Sequence, residues 1–489
     1  MAEVRLVIKD EVNIKLEGLE LEARRKLANT FKYFAPYARY HPAYKLGRWD
    51  GTVSLFGLGG NGYINQLEKI LEILGGMGIE IGSIDDQRLT HNLAFTEVTE
   101  TYWADQGKVW PKGHQQEGQP IMLRDYQVEA INTFIKNPQS LQEIATGAGK
   151  TITTATLSHL SEKIGRSIII VPNKSLVEQT EEDFINVGLD VGVYYGDRKD
   201  LNKTHTICTW QSLNILDKKS KNQEHDIVTL AEFLDGVKTV IVDEVHMAKA
   251  DVLKNLLTQN ICNAPIRWGL TGTVPKEDHE AQAIFASIGP VVGRLSAKEL
   301  QDKGVLSNCH VNVVQMIDLP EFSSYSEELK YLVTDEDRMI YISKLIKTIS
   351  QSGNTLVLVN RIDSGKFLIN EIPDAVFISG DVKTTKRKEE YDEIKTSDNK
   401  VIVATFGVAA VGINIPRIFN LVLLEPGKSF VRVIQSIGRG IRKAEDKDFV
   451  QIWDITSTCK YAKRHLTERK KFYKDAKYPF TIEKTDWQK

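Results

Sequence analysis

The run Thr146-Gly147-Ala148-Gly149-Lys150-Thr151 ends in two residues suited to phosphate chemistry. Its glycines let successive backbone N–H groups curl around an anion, and a helix starting at the lysine would turn its positive end to the same place. Lys150 would then reach the β- and γ-phosphates of a nucleotide, with the Thr151 hydroxyl on Mg²⁺. The strict spacing asks for glycine at 144, where the chain has Ile144. Further on, the apolar run "TVIV" closes on Asp243-Glu244-Val245-His246. Carboxylates at the end of a parallel strand face the crevice in which α/β sheets bind nucleotides. Asp243 is expected to hold Mg²⁺ through water, and Glu244 to orient or deprotonate an attacking water. The two motifs in this order predict an ATPase using ATP and Mg²⁺.

Two more groups belong to the same chemistry. In "LRDYQ" (123–127) the Gln127 amide suits the edge of adenine, with Arg124 and Tyr126 beside the base; a plain helix start over a buried tyrosine is the other reading. In "QSIGRGIR" (435–442), Arg439 and Arg442 are three apart and share a helical face. They are expected to act with Gln435 as arginine fingers on a γ-phosphate bound by a preceding lobe, a device worth about 10³–10⁵ in rate. A charge clamp divided between two lobes would make hydrolysis move one against the other.

Alternating strands and helices must position these groups. From 119 to 300, apolar runs "SIIIVP", "THTICTW", "TVIVDE" and "IRWGLTG" alternate with helical patterns, and 301–458 repeats the scheme with "NTLVLVN", "AVFISG", "KVIVATF", "NLVLLEP" and "FVQIWDI". Such runs indicate parallel sheets covered on both faces, hence two α/β lobes in tandem. Residues 1–85 read as a small α+β unit. Its predicted elements are strands Val4–Ile8 and Val12–Leu16, helical spacing over Glu20–Phe34, a strand at Thr52–Phe56, a helix at Ile64–Leu74 and a last short strand at Ile79–Ile81. Residues 86–118 are polar, with Gly and Pro, and read as a connector. The basic stretch 459–489 reads as a helix that closes the second lobe and trails off, either as a solvated face or as a DNA contact. The insert 216–226 reads as a surface loop.

Bulk properties exclude several classes. The chain has 489 residues, 42% hydrophobic and 26% charged, with formal net charge −2. Any polyanion must therefore be met by local patches. Four cysteines without C-x-x-C pairing argue against a zinc site or a disulfide framework and fit a reducing compartment. No apolar stretch is long enough for a membrane span. The expectation is a cytoplasmic protein of a bacterial or phage-infected cell, associated with the nucleoid, and a monomer by default.

Eight segments in order, Gln127, "ATGAGKT", "VPNKSLVEQ", "CTWQSL", "DEVH", "GLTGT", "VIVATFGVAAVGINIP" and "QSIGRGIR", resemble the ordered motifs of superfamily 2 helicases. The resemblance implies two RecA-like lobes over residues 119–458. It implies that His246, Thr271 and Thr273 couple hydrolysis to movement and that Gln435 senses nucleotide. Pro172, Asn173, Thr209, Gly380, Thr405 and Gly412 would touch or approach phosphates, Gly412 and Asn414 lining the ATP site. Asn414 stands where many relatives carry an acid. "LRDYQVEAI" and "DEVHMA" are closest in form to the DNA-acting branch of restriction-type translocases, XPB-like proteins and phage UvsW-like helicases. That branch implies 3′→5′ translocation on DNA, with a single strand in the motor channel. Alternatives are a plain duplex translocase or motor subunit, a DExH RNA helicase, and a scaffold with a vestigial ATP site.

The N-terminal block carries its own signal. From Arg24 to Trp49 there are seven Lys/Arg, seven aromatics and no Asp or Glu. Phe31, Phe34 and Tyr40 are expected in its core. Lys45, Arg48 and Trp49 precede an Asp50-Gly51 turn, where Trp49 either braces the turn or, with the two cations, grips DNA. "YARYHPAYKLGRWDGTVSLF" ahead of a motor resembles UvsW-like proteins, which implies remodelling of forks, Holliday junctions and possibly D- or R-loops.

Overall fold

The computed structural model describes residues 3–112, 114, 116–224, 228–247, 250–275, 278–378, 397–408, 417–429, 437, 444 and 446–488. They fall into two compact units, Met1–Ile144 with Gly149–Arg294, and Leu295–Lys489 with Ala145–Ala148.

The first unit opens on a small sheet. Strand β1 (Val4–Ile8) pairs antiparallel with β2 (Asn13–Glu17) through a tight turn that Asp10 holds by accepting from the backbone of Val12 and Asn13. A side pair, β3 (Lys32–Phe34) and β4 (Thr52–Ser54), precedes β5 (Asn61–Tyr63) and β6 (Ile81–Asp86), and the main sheet has the order β5-β2-β1-β6. Alternation puts Ile14 and Leu16 inward, onto Leu27, Phe56, Ile70 and Leu74 from the helices Leu21–Thr30 and Leu67–Gly76 and the loop before β5. The sequence misplaces three details. The helical spacing ends at Thr30 and becomes a strand, because β-forming "KYF" follows. The last strand runs on to Asp86 because it pairs parallel along the whole of β1. Phe31 is buried as expected, but Phe34 and Tyr40 are 39% and 80% exposed, and Tyr33 takes a core place instead.

The main sheet of this unit comprises β7 (Gln139–Ile144), β8 (Arg166–Val171), β9 (Val191–Tyr195), β10 (Arg198–Lys199), β11 (His205–Thr209), β12 (Val237–Asp243), β13 (Ile266–Thr271) and β14 (Val291–Leu295). Its order is β10-β9-β11-β8-β12-β13-β7-β14, parallel from β9 to β7. The N-terminal block packs directly on it. Gln139 Nε2 donates to Glu11 O at 2.6 Å, Asn13 Nδ2 to Thr258 O at 2.8 Å, and Ala286 joins the small sheet's apolar cluster. The polar connector is also seated. Trp103 is fully buried, donates Nε1–H to Thr156 Oγ1 at 2.9 Å and stacks on His159, while Tyr102 OH meets His159 Nδ1 at 2.7 Å. Two rings in a polar stretch anchor it to the helix Lys150–Leu160. The insert expected to be a loop is helical as far as Lys221.

The second unit is a seven-stranded parallel sheet built from β15 (Asn308–Met316), β16 (Thr355–Val359), β17 (Val376–Ile378), β18 (Val401–Thr405), β19 (Asn420–Leu424), β20 (Phe449–Ser457) and β21 (Phe480–Thr485). The order is β17-β18-β16-β19-β20-β15-β21. The basic C-terminal stretch does not trail off. After the helix Lys460–Asp475 it adds β21 parallel to β15, and Trp487 Nε1 donates to Asp318 Oδ1 at 3.0 Å. Beneath it lies a buried charge network. Arg469 binds Asp454 with two nitrogens at 2.8 and 2.9 Å, and Arg338 lies between Asp318 and Glu425 at 3.2 and 3.0 Å. Among the described residues no helix is long and apolar enough to cross a membrane.

Burial pushes the Glu425 carboxyl up to about 7 from 4.5, against the pull of Arg338 and Arg469. A carboxyl raised in the folded state stabilises fully below its unfolded value and loses that contribution as pH rises through the folded one. Thermal unfolding of the parent is expected to fall between pH 5 and pH 8 relative to Glu425→Gln. Parallel curves for the two proteins contradict this.

Candidate active site

Three neighbouring strands end at one place. In the order β12-β13-β7, the C-terminal ends carry Asp243-Glu244, Thr271 and the phosphate loop. Register sets Asp243 opposite Leu270, and Thr271 opposite Glu143. This is the carboxyl edge at which parallel sheets bind ligands. The departure at Ile144 is accounted for locally. Ile144 is the last residue of β7 and its side chain is buried in the sheet, so the loop bends only after it, at Gly147 and Gly149 with φ of 93° and 77°. A Cβ at Gly149 would sit 2.5 Å from Gln127 Nε2.

Lys150 begins the helix and its ammonium reaches Glu244 Oε1 at 2.6 Å, with Ile144 O at 3.5 Å. Both side chains are about nine-tenths buried, at 10% and 9% exposure. Burial alone drives the Glu244 carboxyl upward, but Lys150, His246 and the Gly272 N–H together outweigh it and leave it at about 2. Glu244 is therefore an anion at any working pH. Its backbone has φ of 50°, a left-handed conformation that costs about 1–3 kcal/mol in a residue with a side chain. The Glu244 N–H donates to Asp243 Oδ1 at 2.9 Å, which holds the two acids in a fixed relation.

Glu244 also connects forward. Its Oε2 accepts from Gly272 N at 3.2 Å and lies 3.6 Å from His246 Nδ1. The Thr271 hydroxyl donates to Thr273 O at 2.7 Å, so its single proton is committed. His246 Nδ1, 2.6 Å from the same oxygen, must then be the donor, which fixes the tautomer. Burial lowers the His246 pKa and favours the neutral ring. A continuous set of contacts thus runs from Lys150 through Glu244 to the Thr271–Thr273 turn.

Gln127 is buried and already engaged. Its Oε1 accepts from Arg124 N at 2.9 Å and its Nε2 approaches Gly149 O at 3.4 Å, while Arg124 Nη1 donates to the buried Tyr126 OH at 2.7 Å. Asn173 and Thr209 cap helices, accepting from Leu176 N at 3.0 Å and Ser212 N at 3.2 Å. Pro172 is buried and its carbonyl accepts from Gln211 at 3.0 Å. Thr405 ends β18 and accepts from Val408 N at 3.4 Å. Gly380, Gly412, Asn414, Gln435, Gly438, Arg439 and Arg442 lie outside the described residues.

One residue was missed in the sequence. Asp183, on the helix Lys174–Asn186, accepts the Thr151 hydroxyl; burial raises its carboxyl to about 6 and that hydrogen bond works against the rise. No motif spacing marks Asp183, and only the packing of one helix on the other brings it to Thr151. The donors fit Mg²⁺: a hydroxyl whose proton already points elsewhere and a carboxylate, Asp243, are the hard oxygens this ion takes. When bound, Mg²⁺ would neutralise phosphate charge there.

Residues 120–276 match the family described as type III restriction enzyme, res subunit, and residues 337–444 match the helicase conserved C-terminal domain. The chain is 23% identical over 472 residues to the ATP-dependent DNA helicase uvsW of Enterobacteria phage T4, covering 91% of this chain and 89% of that one. It belongs to the superfamily 2 DNA helicases. The DNA 3′-5′ helicase XPB of Kineococcus radiotolerans is 24% identical to this helicase over 383 residues, 74% of its length and 65% of the relative's. In fold, the helicase resembles the DNA-bound Type ISP restriction-modification enzyme LlaBIII, with a TM-score of 0.56 at 15% identity, over 87% of this chain and 34% of that one. The two lobes are RecA-like and the enzyme is an ATP-dependent DNA helicase.

Glu244→Gln keeps the shape of the site and removes the base. ATP turnover of the helicase is expected to drop about 10²–10⁴-fold while a fluorescent nucleotide still binds. Turnover within a factor of three of the parent contradicts the role given to Glu244.

Proposed function

We propose that this helicase remodels branched DNA, driving branch migration, unwinding and annealing at forks, Holliday junctions and D- or R-loops. Mg²⁺ accompanies ATP, held by Thr151 and, through water, by Asp243. Arg439 and Arg442 act as the arginine fingers, Gln435 as nucleotide sensor, and Gly412 and Asn414 line the ATP site. The protein works inside the cell as a monomer.

The observation that carries this reading is the accessory block, packed with lobe one in a single compact unit and presenting an exposed cationic turn. Within the turn, Trp49 is a brace. Its Nε1 donates to Thr52 O at 2.8 Å and its ring lies 6.0 Å from Tyr37 and 5.4 Å from His41. Gly51, at φ of 79°, leaves no room for a Cβ beside Phe34 and Tyr44. So stiffened, the turn holds Arg39, Lys45 and Arg48 in solvent, beside Tyr40 and the 65% exposed Leu46. Cations on a rigid turn with open rings suit duplex phosphates and an unpaired base at a junction. The uvsW relative matches almost the whole chain, so this block and the motor occur together there too. In the motor, Pro172, Asn173, Thr209, Gly380 and Thr405 track one strand. Support comes from the helix starts at Asn173 and Thr209 and from Asn173 Nδ2, buried without a partner among the described residues.

Triple replacement of Lys45, Arg48 and Trp49 by alanine is expected to weaken fork binding and fork-stimulated ATPase while linear-duplex stimulation stays near the parent's. Equal behaviour of parent and variant on forks removes the accessory block from substrate choice.

A further inference from the structure

We propose that Asp183 is a positioning residue for the Mg²⁺-nucleotide, acting by taking the proton of the Thr151 hydroxyl so that the oxygen's lone pairs are turned to the metal. The inference rests on the reading of Thr151 as a metal ligand.

A threonine hydroxyl has one proton and two lone pairs. To ligate a cation it must send that proton away from the metal. Threonines inside a helix usually send it to the carbonyl four residues back. Neighbours of Thr151 do this: Thr156 Oγ1 donates to Ile152 O at 2.8 Å, and Thr153 Oγ1 approaches Gly149 O at 3.5 Å. Thr151 instead sends its proton across to the carboxylate of another helix. A carboxylate accepts only, so while ionised it fixes the sense of this hydrogen bond, and a charge-assisted bond holds it more strongly than a carbonyl would.

Asp183 is held in place by the chain around it. It lies on the helix that Asn173 caps, next to Phe184, which is fully buried. The helix bearing Asp183 starts at the end of β8, the strand beside β12, so one sheet carries both Asp183's helix and Asp243. The motif assigned to DNA contact at Pro172-Asn173 and the phosphate loop are therefore joined by a side chain as well as by the sheet. Outer partners of metal ligands orient them, and their loss typically costs roughly 10–100-fold in metal affinity.

Equilibrium binding of a fluorescent ATP analogue to the full chain, in Mg²⁺ and in EDTA, tests this with Asp183→Leu, Asp183→Asn and Thr151→Val. Asp183→Leu is expected to lose roughly 10–100-fold of the Mg²⁺-dependent gain in affinity and to leave binding in EDTA at the parental value. Asp183→Asn, which keeps an acceptor oxygen, should recover most of the loss. The proposal is overturned if Asp183→Leu keeps the parental ratio of the two affinities. It is equally overturned if both affinities fall together, which is the mark of a merely structural contact, or if Asn rescues nothing. If the parent shows no gain from Mg²⁺, or Thr151→Val leaves that gain intact, the metal reading of Thr151 fails first and the role of Asp183 goes with it.

Discussion

The ion pair between Lys150 and Glu244 is the contact on which the rest of the first unit's site depends. The two groups are 2.6 Å apart and nearly excluded from water. Burying either charge alone is costly, and removing one partner of such a pair typically destabilises by about 3–5 kcal/mol. The pair therefore holds the phosphate loop and the end of β12 together while the strained backbone of Glu244 persists. An ammonium has three donors, so a phosphate can engage Lys150 by competing with Glu244 for it. That competition is the physical link between the arrival of a nucleotide and the release of the base.

From this pair the contacts spread in two directions. Forward, Glu244 reaches Gly272 and His246, and His246 donates to Thr271, so a displaced Glu244 changes the hydrogen bonding of the next strand's turn. Thr273 Oγ1 is buried there without a partner among the described residues, and a turn with one unmet group rearranges at lower cost than a fully bonded one. Backward, the helix that Lys150 begins is fixed by Trp103 and Tyr102 of the connector and by Asp183. The accessory block is joined to the same sheet through Gln139, on the strand that leads into the phosphate loop. Nucleotide chemistry and the cationic turn thus share one packed body.

The legible part of the sequence was the part with local rules. Apolar runs gave both sheets, and glycines before Lys150 gave the loop. What escaped depended on partners distant in the chain. Tyr33 and Tyr40 exchange core and surface because β3 pairs with β4, a fact that the composition of the stretch does not carry. Trp103 looked like part of a polar linker because its single partner, Thr156, lies in a different segment. The C-terminal strand β21 was hidden by its charge: an edge strand exposed on one side can be written in Lys, Glu and Thr and still pair along β15. Asp183 had no spacing to betray it. Ile144 looked like a defect in a motif and is the last buried residue of a strand.

A double-mutant cycle on Lys150→Met and Glu244→Gln, read by urea unfolding without nucleotide, tests the central contact most directly. The account predicts a favourable coupling of about 1–3 kcal/mol between the two side chains. Additive losses, within about 0.5 kcal/mol, would mean that the ammonium and the carboxylate do not hold each other and that the site is assembled some other way.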